Sequence, residues 1–105
     1  MNINHTWTSD GSSGVVGTPV ELKWPPLESV IYSQVSTIAT QTQWHFDTAM
    51  ESSGPWFTEA TSSVLSTAVG IQQTELRVTG PYIWARVFID TKSTGNWSFR
   101  LVGSD

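Results

Sequence analysis

The sequence predicts an all-β chain, a single antiparallel β-sandwich of jelly-roll-like arrangement with about seven or eight strands. Three observations predict it. Apolar and polar residues alternate in short runs, the mark of half-buried strands. Clusters of Gly, Pro, Ser and Asp separate the runs and supply reversals. No stretch carries a convincing helical period, and the 14 Ser and 14 Thr among 105 residues are poor helix formers. A chain of this length fits one domain and buries roughly two-thirds of its unfolded surface without staples, in keeping with the lack of cysteine. A small barrel is the alternative way to close such strands.

Residues 1–17 are polar and punctuated by Gly11, Gly14 and Gly17. They form either a first strand, Ile3 to Thr8, folded back at Ser9-Asp10-Gly11-Ser12-Ser13-Gly14, or an extended arm ordered by a neighbouring subunit. The β-sandwich proper is expected over 18–105. Val20, Leu22 and Trp24 alternate with Glu21 and Lys23 until Pro25-Pro26, which cannot donate ladder hydrogen bonds. Ser29 to Thr37 is rich in β-branched residues and reads as the next strand. Gln41 to Met50 places Trp44, Phe46, Thr48 and Met50 on one face, and Gln43, His45, Asp47 and Ala49 on the other. Glu51-Ser52-Ser53-Gly54-Pro55 reverses the chain into a short return strand, Trp56 to Glu59.

Ser62 to Gln73 reads as two short strands or a loop, because Gly70 and the hydroxyl residues interrupt any helix. Glu75 to Thr79 alternates again. Gly80-Pro81 leads into the strongest strand, Tyr82 to Asp90. The loop 91–95 then suits a hairpin whose second arm is Asn96 to Val102.

Composition excludes several functions. Five cations against nine acidic residues give a net charge of −4, and the cations form no run. Binding to nucleic acid or to an anionic membrane draws on clustered cations, so neither partner is expected. No apolar stretch approaches the roughly 20 residues of a membrane-spanning helix. Met1 to Trp7 has neither a basic nor an apolar leader region, so no secretory signal is expected there.

Catalytic material is thin, and neither an enzyme nor a cofactor is expected. His45 and Asp47 share a strand face and could orient a general base, but no G-x-S-x-G elbow supplies a nucleophile. A His beside an Asp on a surface or interface accounts for the pair. Two histidines on different segments and no cysteine offer no zinc spacing. Asp10-Gly11-Ser12-Ser13 lacks the further carboxylates of a calcium loop. Glu28, Glu51, Glu59 and Glu75 are scattered as on a solvated surface, although any two could meet as a glycosidase pair.

The aromatics say more. Trp44 with Phe46, and Trp97 with Phe99 and Leu101, alternate with polar residues and are assigned to the core. In the strand 82–90, the aliphatic face of Ile83, Ala85, Val87 and Ile89 suits the core. Tyr82, Trp84, Arg86, Phe88 and Asp90 then share the other face, which is too aromatic for open water. Arg among Trp and Tyr is the composition of an interface hot spot. The alternative is a strand buried on both faces with Arg86 paired to Asp90 or another carboxylate. Trp7, Trp24 and Trp56 lie near strand ends or turns and complete the expected interface set as rim contacts. The rival to protein assembly is carbohydrate binding through exposed Trp or Tyr rings flanked by carboxylates or amides.

The run Glu75-Leu76-Arg77-Val78-Thr79-Gly80-Pro81-Tyr82-Ile83-Trp84-Ala85-Arg86-Val87, followed by Thr94-Gly95-Asn96-Trp97-Ser98-Phe99-Arg100-Leu101-Val102-Gly103, resembles the ending of many short structural proteins of tailed bacteriophages. The long strand Thr42 to Met50 and the turn Ser53-Gly54-Pro55-Trp56-Phe57 are similar to their middle. The tryptophan content departs from that pattern. The resemblance implies a small, non-enzymatic virion component, such as a head decoration (cement) protein or an accessory head or tail subunit. It further implies a homo-oligomer made in the host cytoplasm, with the major capsid protein or other virion subunits as partners.

Overall fold

The computed structural model describes residues 3–22, 26 and 28–104. Among these, nine strands form: β1 (Ile3–Ser9), β2 (Gly14–Val15), β3 (Val20–Glu21), β4 (Glu28–Ile38), β5 (Trp44–Ala49), β6 (Phe57–Thr61), β7 (Ala68–Thr79), β8 (Trp84–Ile89) and β9 (Trp97–Ser104). One sheet has the order β1-β9-β4-β7, the other β2-β8-β5-β6, with β3 also pairing β8. All pairings are antiparallel. Since β5 lines one edge of β8 throughout, β2 and β3 share the other edge and act as one interrupted strand. Eight strands in two sheets, with the first beside the last, is the jelly-roll arrangement.

Two sequence expectations are corrected and one open alternative is settled. The strand at 84–89 and that at 97–104 are not a hairpin, because β8 lies in one sheet and β9 in the other. A loop of five residues with a glycine spans the roughly 10 Å between packed sheets as readily as it reverses a chain. Residues 68–79 form one strand of 12 residues where a break was expected. Its pattern is inverted at one end, with Val69 91% and Ile71 66% exposed. A bulge there sets Gly70 and Ile71 against Ser36, and Gly70 takes a φ of 95°. Of the two readings of the stretch before Thr18, the first strand forms: β1 pairs along β9 of its own chain from Ile3↔Gly103 to Ser9↔Trp97, and β2 pairs β8.

The core lies between the sheets and is aromatic. Trp44 and Phe46 of β5, Ala85, Val87 and Ile89 of β8, and Phe99 and Leu101 of β9 are fully buried, with Trp97 nearly so. Trp97 and Phe99 stack with centroids 5.8 Å apart, and Trp44 meets Phe99 edge-on at 5.1 Å. Each such ring removes about 150–250 Å² from water, which dominates the driving force for closing the sheets. Met50, expected on the core face, follows the end of β5 and is exposed.

Buried Ser93 ties the loop between β8 and β9 to the rest. Its N–H donates to the Gly11 carbonyl at 2.9 Å, and its own carbonyl accepts from Trp97 Nε1 at 2.9 Å. Gly11 has a φ of 92°, and a Cβ there would stand 1.8 Å from the Ser93 carbonyl oxygen. Only glycine fits that position.

Candidate functional site

The outer face of the β2-β8-β5-β6 sheet gathers an ordered cluster of charge and aromatic rings. Register builds it: Phe88 lies opposite His45 and Arg86 opposite Asp47 across β8 and β5, while Asp47 lies opposite Thr58 across β5 and β6. Strand alternation sends these residues outward because Trp44, Phe46, Val87 and Ile89 fill the inside. Asp47 is nonetheless 2% exposed, because its neighbours close over it.

Every oxygen of Asp47 is engaged. Arg86 Nε donates to Oδ2 at 2.9 Å and Thr58 Oγ1 to Oδ1 at 3.0 Å, while His45 Nδ1 lies 2.6 Å from Oδ1. The His45 ring stacks on Phe88 with centroids 4.8 Å apart and planes 19° from parallel. Its Nε2 lies 3.1 Å from Asp90 Oδ1. A neutral imidazole donates to one of these carboxylates and an imidazolium to both. Above, the Arg86 guanidinium carbon sits 4.4 Å from the Trp56 ring centroid and 5.9 Å from that of Phe88. Gly54 permits this cap, since it has a φ of 86° and a Cβ there would stand 2.9 Å from Trp56 Cδ1.

The seven expected interface residues therefore divide. Trp84, Arg86 and Phe88 lie on one face, half-buried, and Trp56 joins them from the loop before β6. Tyr82 does not. It precedes β8, escapes the alternation and is 3% exposed, with its ring edge-on to Phe46 and its Oη 2.6 Å from Ser29 Oγ. Trp7 is also core, 4% exposed, its Nε1 donating to the Thr18 carbonyl at 2.9 Å. Trp24 lies outside the described residues. Sequence reasoning missed Thr58, whose position opposite Asp47 depends on the β5–β6 bulge between Phe46 and Asp47, and it named Trp56 only as a rim contact rather than as the cap on Arg86. It placed His45 and Asp47 together, but read them apart from Arg86.

The polar groups of this face are engaged with one another. Both nitrogens of His45 face carboxylates, and Thr58 donates to Asp47, so the pair activates no hydroxyl. The scattered acids do not converge on it. Glu59 accepts from Thr48 Oγ1 at 2.9 Å, and Glu75 lies 3.6 Å from Arg77. Asp10 closes a turn by accepting from the Ser12 N–H and hydroxyl, bonds that hold its carboxyl below the usual range. Among the described residues, no group of three or more His, Cys, Asp or Glu is disposed to hold a metal ion, and no helix is long and apolar enough to cross a membrane.

No protein-family model matches the chain, and no curated protein matches it in sequence. Solved structures share its fold. The SPBc2 prophage-derived protein YomS aligns over 99% of this chain and 96% of its own, with a TM-score of 0.59 and 11% identity. PirA aligns over 95% and 92%, with a TM-score of 0.58 and 12% identity. The carbohydrate-binding module CBM4 aligns over 97% and 71%, with a TM-score of 0.56 and 9% identity. These likenesses define a class, the small β-sandwich, at identities that carry fold alone.

Proposed function

We propose that this chain is a non-enzymatic structural protein of a tailed-phage virion, a decoration subunit that stabilises the head through protein-protein contacts on its β8–β5 face. The observation that carries this reading is the pre-ordering of Arg86 between the Trp56 ring and the buried Asp47 carboxylate. Arg and Trp are among the residues that supply most of the energy at interfaces, and side chains already fixed lose little entropy when a partner docks. Half-buried Trp84 and Phe88 extend the same surface, and Val15, opposite Phe88 on β2 and 39% exposed, adds an apolar rim. A decoration subunit repeats a modest contact over a symmetric shell, so avidity replaces a single tight site. The shared fold of a prophage-derived protein, YomS, is in keeping with this origin.

Two measurements test it. A major capsid or tail gene beside this one supports the reading, and purified protein added to heads lacking it should co-sediment with them. Trp84→Ala with Phe88→Ala should leave a folded chain that no longer co-sediments. Wild-type protein that stays in the supernatant overturns the role. A double variant that unfolds returns those rings to the core and withdraws this face as the contact.

A further inference from the structure

The opposite side of the sandwich carries a second surface of different chemistry. On the outer face of the β1-β9-β4-β7 sheet, Tyr32 of β4 lies between Arg100 of β9 and Glu75 of β7 in one cross-strand row. In the next row, Gln34 lies between Ser98 and Gln73. These six residues line an open groove of about 590 Å³. Tyr32 is 42% exposed in the middle of the sheet, with charged and amide side chains flanking its ring. The groups around it are held in place. Gln73 Nε2 donates to Gln34 Oε1 at 3.1 Å, Arg100 Nε donates to Asn4 Oδ1 at 2.9 Å, and Arg77 lies 3.6 Å from Glu75.

We infer that this groove binds a neutral polysaccharide, with one sugar ring on the face of Tyr32 and its hydroxyls on the Arg100, Glu75 and Gln73 side chains. Three features select that occupant. A sugar offers an apolar C–H face and a rim of hydroxyls, and the groove offers a ring amid planar donors and acceptors. Arg100 and Glu75, the charged residues that line the groove, oppose each other in sign, and Glu75 is further offset by Arg77, so no cluster of one sign gathers there to favour a polyanion or a polycation. Strands about 4.8 Å apart set polar groups at a spacing close to that of successive sugar units. A second copy of the chain fits less well, because Val102, 36% exposed, and Ile71, 66% exposed, stand on either side of these two largely polar rows and do not join into the contiguous apolar core that a stable dimer interface needs. The inference rests on Tyr32 and its rows alone and is independent of the assembly role of the other face.

Affinity electrophoresis through gels containing mixed-linkage β-glucan, xylan, galactomannan or dextran tests it, with heparin as the anionic control. The wild type should be retarded by at least one neutral polymer. Tyr32→Ala should bind that polymer at least about tenfold more weakly while keeping its thermal midpoint. Tyr32→Phe, which preserves the ring, should bind as the wild type does, and so should Trp84→Ala on the opposite face. Retardation by none of the neutral polymers overturns the inference, as does retardation by heparin alone. Unchanged retardation of Tyr32→Ala removes the groove as the site. A change of mass in solution on making Tyr32→Ala assigns the face to a second copy instead.

Discussion

Arg86 and Asp47 stand directly opposite each other on β8 and β5, joined by a hydrogen bond of 2.9 Å, although one is an outward-facing arginine and the other a carboxylate 2% exposed. The sheet's outer face is thus closed over a buried charge by its own side chains. Such a pair is worth little against an apolar replacement of both partners, but breaking it from one side strands a charge.

Asp47→Asn should therefore cost about 3 kcal/mol in urea denaturation, because the amide keeps only one acceptor oxygen, sets an NH2 group against donors on its other side, and leaves the Arg86 charge without its counter-charge. Arg86→Gln should cost a similar amount by leaving Asp47 buried and short of a donor. The double variant should cost clearly less than the sum, since the two residues are in contact. Additive losses would mean that the pair is not the unit described.

Burial pushes the Tyr82 phenol up to about 12, only partly opposed by its bond to Ser29. The unfolded chain ionises this group near its ordinary value of 10.0, whereas the folded chain holds the proton. The resulting stabilisation is complete below pH 10 and is lost as pH rises through about 12. Tyr82→Phe should cost about 1 kcal/mol at neutral pH, by taking a partner from Ser29, and should flatten the fall in stability across that alkaline window. Chemical denaturation at a series of pH values checks both; an equally steep fall in the variant would assign the alkaline loss to another group.

Gly11→Ala should be among the most damaging single changes outside the core. Its Cβ would meet the Ser93 carbonyl oxygen at 1.8 Å in a backbone conformation that L residues rarely adopt. A loss of roughly 3 kcal/mol or more is expected in thermal or urea unfolding. Gly14→Ala, with a φ of 106° but nothing within 4 Å of the added carbon, should cost less. Equal losses would show that contact with Ser93 adds nothing to the backbone strain.

The two central indoles should respond differently to loss of the N–H. Trp97 Nε1 donates to the Ser93 carbonyl, whereas Trp44 Nε1 is buried without a partner among the described residues. Trp97→Phe leaves a buried carbonyl short of a donor and should destabilise by about 1 kcal/mol more than Trp44→Phe, which removes an unsatisfied group along with some volume. The reverse order in urea denaturation would point to a hidden partner for Trp44.

Much of the architecture was legible because alternation reports which residues face inward. Trp44, Phe46, Trp97, Phe99 and the aliphatic face of β8 followed from period alone. Alternation carries no information about which strand pairs with which, so β9 was assigned to the wrong neighbour. It also fails where the chain leaves a ladder, which is how Tyr82 came to be read as surface two residues before β8 begins. In β7, apolar Val69 and Ile71 face out while Gln72 and Thr74 are half-buried, so its pattern reads backwards. The candidate interface was half legible for the same reason. Trp84, Arg86 and Phe88 share a face by period, but Asp47 and Thr58 join them only through pairing and a bulge. The tyrosine of the opposite groove lay in a strand read only for its β-branched residues.

The position of β9 between β1 and β4 has a consequence for how the molecule comes into being. One of the two central strands of the β1-β9-β4-β7 sheet is supplied by residues 97–104, so β1 waits for its neighbour until residues 10–96 have been made. Until then its ladder groups and the indole of Trp7 have no place to go. Contacts between such distant parts of a chain form slowly, and the unfinished edge is open to strands of other molecules. Yield on expression should accordingly depend on how fast β9 is delivered after β1, and a version ending before Trp97 should be recovered as aggregate rather than as a smaller soluble sandwich.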